Sequence, residues 1–141
     1  MKKGNILFCD RELIVEESNK VTCLYYYDIL DVVAEAPYTT ITTIKNKKVY
    51  LETPLSQIAK RLPSVFFQCN RSVIVNLIYV SLYEKEGSFF VLHAALGKKY
   101  IISSRKKNVF RERLHYVKTH FFRCEACLSC RNAVFCEKFN T

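Results

Sequence analysis

Residues 66–76 constrain the fold more than any other part of this chain. They read FFQCNRSVIVN, in which two apolar runs flank a polar Asn70-Arg71-Ser72 step. Short apolar runs separated by turn-forming side chains are typical of two strands joined by a turn. The stretch therefore predicts that Arg71 is presented on a turn between strands, where a guanidinium is well suited to reach a phosphate or a guanine edge.

Most of the remaining chain also has strand character. Strand-like runs flank Ser18-Asn19, which is a hairpin signal, and Glu86-Gly87 and Gly97 mark two further turns. Residues 38–44 are rich in β-branched side chains, which favour strands. Lysines at 45, 47 and 48 are expected to form a charged turn between two strands. These patterns predict a mostly β protein.

Two helices interrupt the β pattern. A short amphipathic helix is predicted with Thr53 as its N-cap and Pro54 at its first position. Its apolar face runs from Leu55 to Leu62, and Pro63 ends it. Because a helix this short is not stable alone, it must be held by tertiary packing. A second helix is predicted after Ser104, where apolar side chains change to helical spacing.

The positive charge is concentrated in one half of the chain. Residues 1–60 carry eight basic and eight acidic side chains, whereas residues 61–118 carry eleven basic and three acidic ones, which gives +8 of a total of +9. A one-sided basic surface attracts polyanions, most commonly nucleic acid. A solvated surface that only confers solubility has the same composition, so charge alone leaves both interpretations open.

The N-terminus resembles the start of a signal peptide, but Asp10 and Arg11 end its apolar run too early. The chain has no run of about 18 apolar residues, so no transmembrane helix is expected. These features predict a cytoplasmic protein that does not insert into membranes.

The order of the motifs resembles a known family. A short helix ending in Leu-Pro precedes Arg-Ser-x-x-Val-Asn at residues 71–76, and hairpins then lead to Ile-Ser-Ser-Arg-Lys-Lys at residues 102–107. Over residues 12–117 the chain resembles the LytTR-type DNA-binding domain of bacterial transcription regulators. The resemblance implies packed antiparallel β-sheets with loops, rather than a recognition helix, entering DNA major grooves. It also implies two copies on paired promoter repeats, usually with DNA bending.

The resemblance also indicates which residues contact DNA. Arg71 and Arg105 match contact positions of the family, and a third contacting loop lies around Tyr38 and Thr39. Next to Arg105, lysines at 106 and 107 open a predicted helix, whose N-terminus favours a phosphate. The full set of predicted DNA-binding residues is Tyr38, Thr39, Asn70, Arg71, Arg105, Lys106 and Lys107.

Simpler interpretations of these residues remain open. Arg71 could form a surface ion pair, residues 105–107 could be a solvated charge run, and Tyr38 with Thr39 could be ordinary strand residues. Ser72 and Asn76 are expected to bond the backbone and thereby to position Arg71.

The chain divides into three parts on these criteria. Residues 1–11 are expected to be a lead-in, residues 12–118 the LytTR-like domain, and residues 119–141 a cysteine-rich tail. Family members often place a receiver domain first, whereas about ten residues precede the domain here, so a stand-alone regulator is expected.

The tail has its own chemistry. It holds four of the seven cysteines, at Cys124, Cys127, Cys130 and Cys136. Thiolates at this spacing could bind zinc or an iron–sulfur cluster, and they could equally be redox-sensitive or simply pack. DNA binding itself is expected to require no cofactor.

Two functions follow from these observations. The first is a sequence-specific regulator that binds duplex DNA. The alternative is a regulatory interaction module whose cysteine tail responds to metal or redox state. The histidines at 93, 115 and 120 have no nucleophile or acid at a readable spacing, and there is no glycine-rich phosphate loop, so an enzyme is not expected.

Overall fold

The computed structural model describes residues 5–120 and confirms a mostly β fold with a C-terminal helix. The strands are β1 (Asn5–Phe8), β2 (Glu12–Glu16), β3 (Val21–Tyr25), β4 (Ile29–Glu35), β5 (Tyr38–Thr43), β6 (Lys48–Leu51), β7 (Phe66–Asn70), β8 (Val73–Asn76), β9 (Val80–Glu86), β10 (Phe89–Ala94) and β11 (Lys99–Ile102). The helices are α1 (Leu55–Ala59) and α2 (Lys107–His120), and short 3-10 turns join several elements.

The strands form three antiparallel sheets. The central sheet has the order β6-β5-β4-β8-β7, and the two smaller sheets have the orders β1-β2-β3 and β11-β10-β9. The predicted turns at residues 18–19 and 86–87 join β2 to β3 and β9 to β10. Gly87 has a φ of 62°, which a residue without a Cβ adopts at little cost. Hairpin connections therefore account for both small sheets.

The central sheet is covered on both faces. Neighbouring residues of a strand point to opposite faces, and Phe66 and Phe67 of β7 show what covers each one. The Phe66 ring lies edge-on to Tyr26, with centroids 6.1 Å apart. The Phe67 ring lies edge-on to Phe110 of α2, with centroids 5.6 Å apart. Both faces of the central sheet are thus buried in apolar contacts.

A buried polar contact joins the central sheet to the β9–β11 sheet. Asp31 and Phe67 both oppose Val75 in register, so their side chains share the face that α2 covers. From β11, the Tyr100 hydroxyl donates a hydrogen bond of 2.5 Å to Oδ2 of Asp31. This contact fixes β11 above the centre of the sheet.

The helices differ in detail from their predicted bounds. α1 ends at Ala59, before the predicted stop, and Pro54 is its N-cap rather than its first residue. The predicted cap at Thr53 is wrong, because no side chain caps α1 and the Thr53 carbonyl accepts a hydrogen bond from Thr39 instead. Ser104 lies in a 3-10 turn that leads into α2 and does not cap the helix.

Residues near the N-terminus contribute to the folded unit. β1 lies within residues 1–11 and pairs with β2, in which Leu13 and Val15 are each 1% exposed. The guanidinium of Arg61, just after α1, lies 4.9 Å from the ring centroid of Phe8. α2 extends to His120, beyond the expected boundary at residue 118. Within residues 5–120, no helix is both long and apolar enough to cross a membrane.

Candidate nucleic-acid interface

Two of the three predicted contact segments lie at the same end of the central sheet, where β4 ends and β8 begins. Val33 of β4 pairs with Val73 of β8 in antiparallel register, so the end of β4 lies beside the start of β8. Beyond this pair, the Ala34 amide donates a 2.8 Å hydrogen bond to the Ser72 carbonyl. The turn after β4 and the turn that carries Arg71 are therefore neighbours.

The third segment, which carries Arg105, reaches this end of the central sheet from the β9–β11 sheet. The Ser103 amide donates a hydrogen bond of 3.0 Å to the carbonyl of Cys69, at the end of β7. This bond places the 3-10 turn of Arg105 beside the turn of Arg71. The two turns line a surface groove, which we call the cationic groove; its lining residues are Gln68, Asn70, Arg71, Ser103, Arg105 and Lys106.

The two arginines are the accessible cations of the cationic groove. Arg71 and Arg105 are both exposed. Within residues 5–120, neither guanidinium has an ion-pair or hydrogen-bond partner. A free guanidinium keeps all five of its N–H donors available for a planar acceptor such as a guanine edge or a phosphate. The surface ion pair considered for Arg71 does not form with any described residue.

The neighbouring lysines are oriented toward the protein. The Lys106 ammonium donates a hydrogen bond of 3.0 Å to the Gln68 carbonyl, and both lysines are only partly exposed. The Lys107 ammonium lies 4.5 Å from the centroid of the Phe90 ring, which is a cation–π contact. The predicted clamp of three cations on a phosphate therefore has one free member, Arg105, in this conformation.

Asn70 holds the turn rather than extending from it. Its Oδ1 accepts a 2.8 Å hydrogen bond from the Ser72 amide, and its Nδ2 donates a 2.7 Å hydrogen bond to the carbonyl of Ile101. The first bond closes an Asx turn around Arg71. The sequence assigned the turn-shaping role to other residues, although an asparagine directly before the arginine was a readable signal for it.

Those other residues have different roles. Asn76 is 0% exposed and donates hydrogen bonds to the carbonyls of Tyr26 and Ile29. It opposes Phe66 in register, at the end of the β7–β8 hairpin away from Arg71, so the prediction that it shapes that turn is wrong. Ser72 takes part in the turn through its backbone amide and carbonyl.

The remaining contact segment offers fewer groups to a ligand. Thr39 is 4% exposed, and its hydroxyl donates a 2.7 Å hydrogen bond to the Thr53 carbonyl. The partly exposed ring of Tyr38 lies edge-on to Tyr50, with centroids 5.9 Å apart. Glu35 pairs with Tyr38 across the turn, is exposed and adds a negative charge at this end of the sheet. Thr39 thus has a structural side chain, and Tyr38 keeps one accessible side.

Two buried side chains beneath the cationic groove, Cys69 and Tyr100, keep their protons at neutral pH. Burial raises the pKa of Cys69 to about 12. Burial, followed by the hydrogen bond to Asp31 and the charge of that carboxylate, raises the pKa of Tyr100. Cys69 is therefore not an activated thiolate, and both side chains contribute to packing beneath the groove.

One cluster outside the groove has the composition of a metal site. Glu84, Glu86 and His93 bring their ligand atoms within 4.8 Å of one another. Both carboxylates are exposed, and His93 Nε2 lies 2.9 Å from Glu84 and 3.3 Å from Glu86. The four tail cysteines lie outside the described residues, so the zinc or iron–sulfur site stays a prediction.

The protein is thus a domain of three antiparallel sheets that presents arginine-bearing turns at one end of the central sheet. The sequence model of the LytTr DNA-binding domain matches residues 19–115, and the chain therefore belongs to the LytTR family of DNA-binding domains. This is a family of DNA-binding domains and not an enzyme family, and the chain is thus a DNA-binding protein of the kind that regulates transcription.

A solved structure shares the fold. It is the LytTr DNA-binding domain of a Bacillus cereus protein described as a methyl-accepting/DNA response regulator. The two chains are 19% identical with a TM-score of 0.63, and the match covers 74% of this chain and 96% of the other. At this identity the match supports the architecture only. The comparison with curated proteins gave no match.

Proposed function

We propose that this protein is a sequence-specific transcription regulator that binds duplex DNA through the cationic groove. The observation that carries the proposal is the position of Arg71 and Arg105, which are exposed in one groove at the end of rigid strands. Arginine pairs bidentately with guanine O6 and N7 in the major groove. The two arginines would therefore read bases, and Arg105 would also meet a phosphate.

The remaining parts of the proposal rest on the family resemblance. Turns rather than a helix would enter the major groove, which is about 12 Å wide and admits a two-stranded β-ribbon. Two copies would bind paired promoter repeats, and the protein would act in the cytoplasm. The excess of basic side chains in residues 61–118 supports binding to DNA, because phosphate contacts supply affinity that falls steeply with salt.

The test begins with a cognate site. Genomic fragments selected by the purified full chain would provide it, and a scrambled fragment of equal length would provide the reference. We expect Arg71→Ala to lower affinity for the cognate fragment about tenfold or more, because one bidentate base contact contributes about 1–3 kcal/mol. Affinity for the scrambled fragment should change much less.

Lys45→Ala is the matched control, because it removes the same charge at an exposed turn. If Arg71→Ala distinguishes the two fragments as well as the parent does, the assignment of Arg71 is wrong. The same experiment on fragments carrying one or two repeats, followed by sedimentation of the complexes, tests for two bound copies.

A further inference from the structure

The side chain of Asn70 bridges the two turns of the cationic groove. Its Oδ1 closes the turn of Arg71 by accepting from the Ser72 amide, and its Nδ2 donates to Ile101 in β11. β11 leads directly into the turn of Arg105. One amide therefore connects the two elements that carry the arginines.

The bonds of this amide argue against a direct base contact. Asparagine reads adenine by using its carbonyl and amino groups together. In Asn70 both groups are already used, one toward Ser72 and the other toward Ile101. Each group keeps one further hydrogen-bonding position, but turning the amide to follow a base would break the existing bonds and release the turn that holds Arg71.

A second link reinforces the bridge. The Ser103 amide donates to the Cys69 carbonyl, directly before Asn70. Backbone and side chain thus join β7 to β11 at two successive residues, which limits how far Arg71 can move relative to Arg105. Holding binding groups in their bound arrangement reduces the entropy lost on association.

We propose that Asn70 is a positioning residue that sets DNA affinity and discrimination through Arg71, by fixing its turn against the turn of Arg105. This inference rests on the proposed function, since it concerns the same groove. It predicts that Asn70 has energetic coupling to Arg71 and makes no independent contribution to DNA binding.

The test is a double-mutant cycle in the full chain. Asn70→Ala should lower affinity for the cognate fragment about tenfold, because two hydrogen bonds of ordinary strength are lost. In the Arg71→Ala background the same substitution should cause no further loss, because the group that it positions is gone. Asn108→Ala, an exposed asparagine of α2, is the matched control and should change nothing.

A readout without DNA accompanies the cycle. Hydrogen exchange at the Ser72 amide reports the bond to Asn70 directly, and Asn70→Ala should accelerate it. In Asn70→Ser a hydroxyl can still accept from the amide two residues on, but it cannot reach Ile101. That variant should keep part of the Ser72 protection and show an intermediate loss of cognate affinity.

Several outcomes would overturn the inference. Additive losses in the cycle would show that Asn70 contacts DNA itself. An equal loss on cognate and scrambled fragments, together with a lower melting temperature, would indicate a structural role only. Unchanged Ser72 exchange in Asn70→Ala would remove its physical basis. A failure of the proposed function is distinguishable, because Arg71→Ala alone would then leave discrimination intact.

Discussion

Two basic turns lie at opposite ends of the central sheet and differ in how they are held. The β5–β6 turn carries lysines at 45, 47 and 48, all exposed, and is braced locally by the Lys47 amide donating to the Thr43 hydroxyl. The Arg71 turn is tied to β11, which belongs to another sheet. The first turn is held within its own hairpin and by the Ile44 amide donating to the Asp28 carbonyl, whereas the second is bonded to another sheet.

This difference shows that the number of cations does not define the interface. Even within the cationic groove, Lys106 is committed to a carbonyl while the adjacent Arg105 is free. A base-reading surface needs planar donors held at a fixed spacing, whereas long-range attraction needs only charge. Substitutions in the two turns and in the layer beneath the cationic groove test that distinction.

The largest effect is expected when two charges are removed from the cationic groove, compared with two removed from the β5–β6 turn. Arg71→Ala with Arg105→Ala should lower cognate affinity by about a hundredfold or more, since each side chain can contribute about 1–3 kcal/mol. Lys45→Ala with Lys47→Ala should lower it only a few-fold, because exposed charges beyond about 8–10 Å are screened at physiological salt. Fluorescence anisotropy at one salt concentration measures both. Equal losses would mean that net charge alone governs binding.

A smaller effect should come from the buried layer under the cationic groove. An unfolded Cys69 thiol loses its proton near pH 9.0, whereas the folded one keeps it to about pH 12. Between these values the unfolded chain binds fewer protons, so the free energy of unfolding falls as pH rises. The slope should be about 1 kcal/mol per pH unit just above pH 9.0 and should approach about 1.4 kcal/mol per unit at higher pH.

Urea denaturation with a reductant present, at pH values between 9.0 and 10.0, measures this contribution as the difference between the parent and Cys69→Ala, because the shifted pKa values of Tyr26, Tyr100 and Lys118 are common to both proteins. Cys69→Ala should flatten the slope in that interval. A variant that keeps the parent's slope would show that Cys69 is not its source.

The smallest effect concerns the lysine that faces the protein. Lys106→Met should cost about 1 kcal/mol of stability through the lost hydrogen bond to Gln68, and it should leave the salt dependence of DNA binding unchanged. Arg105→Met should instead lower the slope of log affinity against log salt by about 0.9 if Arg105 contacts one phosphate. A full decrease for Lys106→Met would show that its ammonium turns outward on DNA.

Much of the fold could be predicted because its signals are local. The strands, the turns at residues 18–19 and 86–87, and the exposed position of Arg71 follow from apolar runs and turn residues close in sequence. The resemblance supplied what local patterns lack, namely the prediction that the segments around residues 38, 71 and 105 all contact DNA.

What could not be predicted depends on contacts between distant residues. Asn70 and Ile101 are 31 residues apart, and only the approach of two sheets makes them partners. The burial of Thr39 has a similar cause, because its strand lies in a sheet that is covered on both faces. From sequence alone, a threonine in a strand is expected to face solvent. The role of Asn76 has the same origin, because its partners are the carbonyls of Tyr26 and Ile29, which are 47 or more residues away in sequence.

The N-terminal hairpin shows that evolutionary and physical boundaries differ in this protein. The family match begins at residue 19, yet Leu13 and Val15 of the middle strand β2 are each 1% exposed and form part of the hydrophobic core. It ends at residue 115, yet Val117 is 0% exposed. A chain trimmed to the matched segment would leave β3 with bare edges, ready to pair with other molecules. The cooperative unit therefore extends beyond the recognisable one at both ends, and work with isolated fragments should begin at Asn5 or earlier.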